Sequence, residues 1–210
     1  MLLAWQMPLA SSQPASRPTI VVLGDSLSAA YGIPTERGWI ALLRQRLQAS
    51  GYRYGVVNAS VSGETTRGAG ERVDQLIALH KPDLLIVELG GNDGLRGIAL
   101  QEMKRNLDNI VTRAVAAGCR VLLVQMKLPP NYGRAYTDRF ESIYADIARS
   151  TGAALAPFIL ESIAGDPELM QADGIHPKAH AQLQMLDNVW PALDALLGSV
   201  SLSTLNGMAK

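Results

Sequence analysis

The feature that most constrains this chain is the alternation of short, uninterrupted apolar runs with longer stretches of helical periodicity. Thr19-Ile-Val-Val-Leu23 ends at Gly24, Val56 and Val57 lie in a second run, Leu84-Leu-Ile-Val87 is a third, Val121-Leu-Leu-Val124 a fourth, and 153–156 a weaker fifth. A strand with one wet face alternates polar and apolar residues. These runs do not, so each is expected to be covered on both sides. Between them Trp39, Ile40, Leu43 and Leu47 recur at helical spacing before Gly51. Met103, Leu107, Ile110, Val111 and Ala114 mark another helix face, and Phe140, Ile143, Tyr144, Ile147 and Ala148 a third. Apolar strands alternating with amphipathic helices form a parallel sheet between two helical layers. The expected fold is α/β: a three-layer α/β/α sandwich on a doubly wound parallel five-stranded sheet. A last helix is expected from Lys178, with Pro191 ending or kinking it.

The 210 residues suit one domain, and 48% apolar against 18% charged residues supplies a core. Nineteen basic residues cancel 19 acidic ones, which leaves no positive field to draw nucleic acid. No apolar run approaches the roughly 18 residues of a membrane-spanning helix. The single cysteine, Cys119, can form neither an internal disulfide nor a cysteine zinc site. Residues 1–18 read as a leader, either the remnant of an export signal or a disordered segment. The domain proper is expected over 19–197, and 198–210 as a frayed tail.

In open α/β sheets ligands bind at the carboxyl ends of the strands, near the point where strand order reverses. The loops there carry Gly24-Asp25-Ser26-Leu27, the run Asn58 to Thr65 with Gly63, and Gly90-Gly91-Asn92-Asp93-Gly94. Asp173-Gly-Ile-His-Pro177 follows the fifth strand. A serine hydroxyl is a poor nucleophile until a base takes its proton, and a neutral imidazole held in one tautomer by a carboxylate is such a base. Ser26, His176 and Asp173 supply these groups. Asp173 lies three residues before His176, near enough to accept the imidazole N–H if the segment turns once. Pro177 is expected in the first turn of the last helix, so that His176 projects from a helix start. A tetrahedral intermediate needs donors for its oxyanion, and the backbone N–H groups of Ser26 and Gly63 with the Asn92 amide can provide them. At Gly63 the missing β-carbon lets substrate approach the backbone.

In this order and spacing, Gly24-Asp25-Ser26-Leu27, Gly63, Gly90-Gly-Asn-Asp93 and Asp173-Gly-Ile-His176 resemble the blocks of the GDSL or SGNH hydrolases. Leu128-Pro-Pro-Asn-Tyr-Gly133 and Gln171-Ala-Asp-Gly-Ile-His-Pro177 are similar to the bacterial arylesterase, acyl-CoA thioesterase I and lysophospholipase group in particular. The similarity runs from about Thr19 to Leu197. It implies the flavodoxin-like SGNH hydrolase fold and an acyl-enzyme on Ser26, with His176 as base, Asp173 orienting it and Ser26, Gly63 and Asn92 forming the oxyanion hole. It implies neither cofactor nor metal. The partner would be a small acyl ester or thioester: an aryl ester, a medium-chain ester, an acyl-CoA or a lysophospholipid. In the resembling subgroup the loop with Leu128 and Tyr132 borders the acyl cleft, and these two with Ile175 are the expected substrate contacts. Relatives usually carry a complete export signal, and here the leader departs from that. A signal remnant would mean a periplasmic or secreted protein, its absence a cytoplasmic one. A monomer is the expected state.

Plainer roles are expected elsewhere. Asp25 and Asp93 are read as loop-fixing carboxylates, His80 as a helix C-terminal cap, and Cys119 as an inert buried thiol. His176 and His180 lack a third ligand at metal spacing. Tyr132 either lines the cleft or packs over it. The rival readings are a carbohydrate acetylesterase of the same chemistry and a metal-dependent phosphatase-like domain using Asp25, Asp93 and Asp173. A nucleotide-binding module is poorly served, because the first loop has one glycine and an acidic residue where phosphate would sit.

Overall fold

The computed structural model describes residues 17–207, with side chains through Gly198. Five strands form one parallel sheet in the order β2-β1-β3-β4-β5: β1 (Thr19–Gly24), β2 (Gly55–Asn58), β3 (Leu84–Glu88), β4 (Arg120–Val124) and β5 (Ala154–Ala156). β1 and β3 are buried almost throughout, as expected of runs without polar alternation, while the edge strand β2 is only half-buried. The helices are α1 (Trp39–Ala49), α2 (Thr66–His80), α3 (Gly91–Leu95), α4 (Leu100–Ala116), α5 (Arg134–Thr151) and α6 (Gln182–Gly207). α1 packs on α6, and α2, α4 and α5 pack in a row, which gives the two helical layers.

The order places β1 between β2 and β3, so the connections leaving β1 diverge beside it and leave a crevice at its carboxyl end. In register, Gly24 at the end of β1 lies against Glu88 at the end of β3. The loop residues that follow both strands are thereby brought to one edge of the sheet.

Of the two outcomes expected at Pro191, an end or a kink, the helix does not end there. Pro191 lies inside α6, whose backbone also continues beyond Gly198 to Gly207. One missing N–H is outweighed by anchoring on both sides of the proline. Met185, Leu186, Val189, Leu193 and Leu197 are buried, Asp187 pairs with Arg46 at 2.6 Å, and the Tyr52 hydroxyl donates to Asp194 at 2.9 Å. The helix is also entered differently. Pro177 bridges to Met170 in an antiparallel pair, the Lys178 N–H donates to the Leu169 carbonyl at 2.7 Å, and a short 3-10 turn, Ala179–Ala181, leads into α6. His176 therefore projects from a hairpin-like loop rather than from a helix start. The leader up to residue 16 and the last three residues of the tail lie outside the described residues.

Candidate active site

Ser26 sits in the turn that follows β1, where the Ala29 N–H donates to the Asp25 carbonyl and the Tyr31 N–H to the Ser26 carbonyl. Its Oγ lies 2.8 Å from His176 Nε2, and His176 Nδ1 lies 2.7 Å from Asp173 Oδ2. The other oxygen of Asp173 accepts the backbone N–H groups of Ile175 and His176 at 2.9 and 3.0 Å. This is the single turn that a three-residue spacing requires, and it points the carboxylate at the ring. Partial burial acts to raise the Asp173 pKa. The hydrogen bonds from His176 and Ile175 outweigh it and bring the pKa down from 3.8 to about 2. An ionised carboxylate at Nδ1 fixes the tautomer that leaves Nε2 free to take a proton from Ser26.

Asn92 reaches the same place from α3. Gly90, in the left-handed region at φ 108°, turns the chain out of the β3 connection, and the Tyr144 hydroxyl fills the space a β-carbon there would need. The segment at Gly90–Gly94, expected as a loop, forms the short helix α3 from Gly91 on. The Asn92 Nδ2 donates to Asp25 Oδ2 at 3.0 Å, and Asp25 Oδ1 accepts the Leu27 N–H at 3.0 Å. Asp25 is 3% exposed, and burial raises its pKa to about 6 against the lowering effect of its hydrogen bonds and of His176. Asp93 accepts both the N–H and the hydroxyl of Thr66, at 2.9 and 2.6 Å, and so ties α3 to the start of α2. Both aspartates thus fix loops, as expected.

Ser26, Gly63, Asn92 and His176 open on one cavity of about 720 Å³ whose walls are largely apolar. Leu128 and Ile175 line it, together with Met126, Phe158, Leu160 and Met170. A serine hydroxyl in contact with an imidazole at the mouth of an apolar cavity suits transfer of an acyl group.

Comparison with known proteins gives the family. Residues 22–182 match the model of the GDSL-like Lipase/Acylhydrolase family. The chain belongs to that family. It is 49% identical over 186 residues to Esterase TesA of Pseudomonas aeruginosa, covering 89% of this chain and 92% of the relative. It is 40% identical over 183 residues to thioesterase 1/protease 1/lysophospholipase L1 of Escherichia coli, covering 85% and 86%. Among solved structures, psychrotrophic esterase EstA from Pseudoalteromonas, inhibited by monoethylphosphonate, matches with a TM-score of 0.82 at 40% identity, covering 86% of this chain and 98% of that one.

Within this acylhydrolase frame, one expected substrate contact, Tyr132, differs from what the sequence suggests. Tyr132 does not line the cavity. Its hydroxyl donates to the Leu95 carbonyl at 3.0 Å and its ring stacks on Tyr136, so it braces the end of α3. His180 Nε2–H donates to the Glu168 carbonyl at 2.9 Å, which occupies it away from His176. Cys119 is buried, and burial pushes its thiol pKa up. His80 ends α2, where Lys81 in the left-handed region supplies the closing N–H to the Ile77 carbonyl. Among the described residues no group of three His, Cys, Asp or Glu could hold a metal ion. The Asp25 and Asp93 oxygens are already met by N–H and O–H donors, which is wrong for a cation and right for a rigid loop.

Glu88 is the residue that sequence reasoning missed. It is fully buried at the end of β3, where Oε2 accepts the Ser28 hydroxyl at 2.7 Å and the Asp25 N–H at 3.4 Å. Burial, then the charge of Asp25, push its pKa well above 4.5. The signal was available: one carboxylate closing an otherwise apolar run, Leu84-Leu-Ile-Val-Glu88.

Proposed function

We propose that this ester hydrolase cleaves medium-chain acyl esters and thioesters, including aryl esters, acyl-CoA and lysophospholipid substrates, through an acyl-enzyme on Ser26. Ser26 Oγ attacks the carbonyl carbon while His176 Nε2 takes its proton, and Asp173 stabilises the imidazolium that forms. The carbonyl oxygen becomes an oxyanion, for which the N–H groups of Ser26 and Gly63 and the Asn92 amide are the proposed donors. His176 then protonates the departing alkoxide or thiolate. Water enters, gives its proton to His176 and attacks the acyl carbon, and Ser26 recovers the proton as the acid leaves. The observation that carries this reading is the continuous contact from Asp173 through His176 to Ser26 at the mouth of an apolar cavity.

Two further supports bear on it. The relatives named above are an esterase and a thioesterase with lysophospholipase in its name. EstA is inhibited by a phosphonate, the class of reagent that an activated serine attacks. One chain supplies every group of the site, so a monomer is the proposed active unit, and size-exclusion chromatography checks it. Residues 1–18 are proposed as an export signal that places the enzyme in the periplasm or outside the cell. Fractionation of cells with and without these residues tests this, and cytoplasmic retention of the full chain overturns it.

The decisive experiment is Ser26→Ala. The turnover number should fall at least about 10³-fold with folding intact, because the side chain is small and the other groups remain. A fluorophosphonate should label the wild type at this serine and leave the variant untouched. Retention of most of the activity by clean Ser26→Ala protein removes the mechanism.

A further inference from the structure

Ser26 and His176 are 150 residues apart in sequence, and neither lies in a helix or a strand, yet their reacting atoms are 2.8 Å apart. Two loops at that distance need a tie between them, since one hydrogen bond at the mouth of an open cleft does not hold two irregular segments. Gln171 is placed to be that tie. Its side-chain Nε2 donates to the Tyr31 carbonyl at 2.9 Å and to the Pro177 carbonyl at 3.0 Å. Its backbone N–H donates to the His176 carbonyl at 2.7 Å, and the Tyr31 N–H donates to the Ser26 carbonyl at 3.1 Å. With the Ser26–His176 contact these close a ring of four hydrogen bonds: Ser26 to Tyr31, Tyr31 to Gln171, Gln171 to His176, and His176 back to Ser26.

The chemistry of the tie is specific. A primary amide has two donor hydrogens, and here each meets a backbone carbonyl, one on the nucleophile's segment and one beside the base. A glutamate of the same shape has none to give at neutral pH. Gly32 makes room for the amide: its φ is 75°, and Gln171 Oε1 stands where a β-carbon on that residue would be. Tyr31, thus held by both its N–H and its carbonyl, lays its ring over the imidazole with the centroids 4.4 Å apart and the planes inclined by 36°. Gln171 itself is not among the residues lining the cavity.

We infer that Gln171 is a positioning residue that sets the distance between Ser26 Oγ and His176 Nε2 by closing this ring, with the Tyr31 ring as the lid on the imidazole. The inference rests on the proposed roles of Ser26 and His176. It assigns Gln171 to the chemical step and not to acyl binding. An opened ring leaves the apolar wall of Met126, Leu128, Phe158 and Leu160 in place and the reacting pair misaligned, and a displacement of about 1 Å costs up to roughly 10²-fold in rate.

The test compares Gln171→Glu and Gln171→Met with wild type, and adds Gly32→Ala, which displaces the amide without altering it. Each should lower the turnover number of a medium-chain p-nitrophenyl ester by roughly 10- to 100-fold, with KM within about twofold, and slow fluorophosphonate labelling of Ser26 by a similar factor. In a His176→Ala background the same Gln171→Met change should not lower the residual rate further, because the group it positions is gone. Unchanged turnover in the Gln171 variants, an effect confined to KM, or an equal loss in both backgrounds overturns the proposal. Should Gln171→Met fail to fold, the isosteric Gln171→Glu and the Gly32→Ala protein carry the same comparison. Failure of the wild type itself to be labelled at Ser26 is a different result, since it removes the serine mechanism on which the inference rests.

Discussion

At Asn92 one amide group donates to Asp25 and, in the proposed mechanism, has its remaining N–H to offer to an oxyanion. The first bond holds that N–H in place. Asp25 accepts at 3.0 Å from a position where it is itself fixed by the Leu27 N–H, so the direction of the Asn92 side chain is settled before substrate arrives. Asn92→Ala should lower the turnover number by roughly 10² to 10³ with little change in KM, because the oxyanion exists only in the transition state. Asp25→Ala should act through the same amide, with a loss of roughly 10- to 100-fold from a freed side chain. The double variant should then be little worse than Asn92→Ala alone. Steady-state kinetics on the three proteins checks this, and full additivity of the two losses would place the work of Asp25 elsewhere. That Ser26, Asp173 and His176 meet, and that Gly63 and Asn92 open on the same cavity, was legible in the sequence because the residue types proposed for acyl transfer stand in compact blocks. Gln171 was not legible in that way. It acts on backbone carbonyls, and nothing in a sequence separates a glutamine bound to two carbonyls from one bound to water.

Among the elements, the strands were read correctly from their unbroken apolar runs, and so was the single parallel five-stranded sheet they form. α3 escaped because it has only five residues and two of them are glycines, so no periodicity can mark it. At Pro191 the sequence left an end or a kink open, because local propensity argues for a break, and the packing that carries α6 through is spread over α1 and Tyr52. Tyr132 was assigned to the cleft by its loop, but a long side chain in a loop can turn either way, and here it braces Leu95. The cavity wall therefore comes from the segment after β4 through Met126, Leu128 and Pro129, and from the segments after β5 through Phe158, Leu160 and Ile175. An apolar wall gains up to about 0.8 kcal/mol per buried methylene, roughly fourfold in kcat/KM per carbon until the groove ends. Activity on p-nitrophenyl esters should climb from acetyl to medium chains and then level. Leu128→Ser should flatten the climb, while Tyr132→Phe should keep its shape. A wild type that prefers acetyl esters outright hands the site to the acetylesterase reading.

For the whole molecule, a formal charge of zero at pH 7 conceals an uneven placement of acid groups. Asp25, Glu88 and Asp93 are buried together near the ends of β1 and β3, and burial is the leading cause of the raised pKa in each. A carboxyl whose pKa is higher folded than unfolded holds a proton in the folded chain that the unfolded chain has already lost, so stability falls as pH rises through that window. For Asp25 the window runs from 3.8 to about 6, and Glu88 extends the fall to higher pH. Asp173 works in the opposite sense. Its pKa of about 2 lies below the ordinary 3.8, so its contribution is present above pH 4 and is lost as pH falls toward 2. The melting temperature should therefore climb from pH 2 to about 4 and decline from there toward pH 8. A tenfold difference in proton affinity between the folded and unfolded chain is worth about 1.4 kcal/mol, or roughly 3 to 6 °C in a chain of this size. Glu88 is the group to alter, because Oε1 has no hydrogen-bond partner among the described residues, and a glutamine keeps an oxygen for the Ser28 hydroxyl. Glu88→Gln should gain stability over wild type at pH 8, lose that advantage near pH 4, and shallow the decline between them. Melting curves across pH for both proteins decide it. A wild-type curve that is flat above pH 4, or a variant displaced equally at both ends, means that the buried carboxyls stay charged in the folded chain.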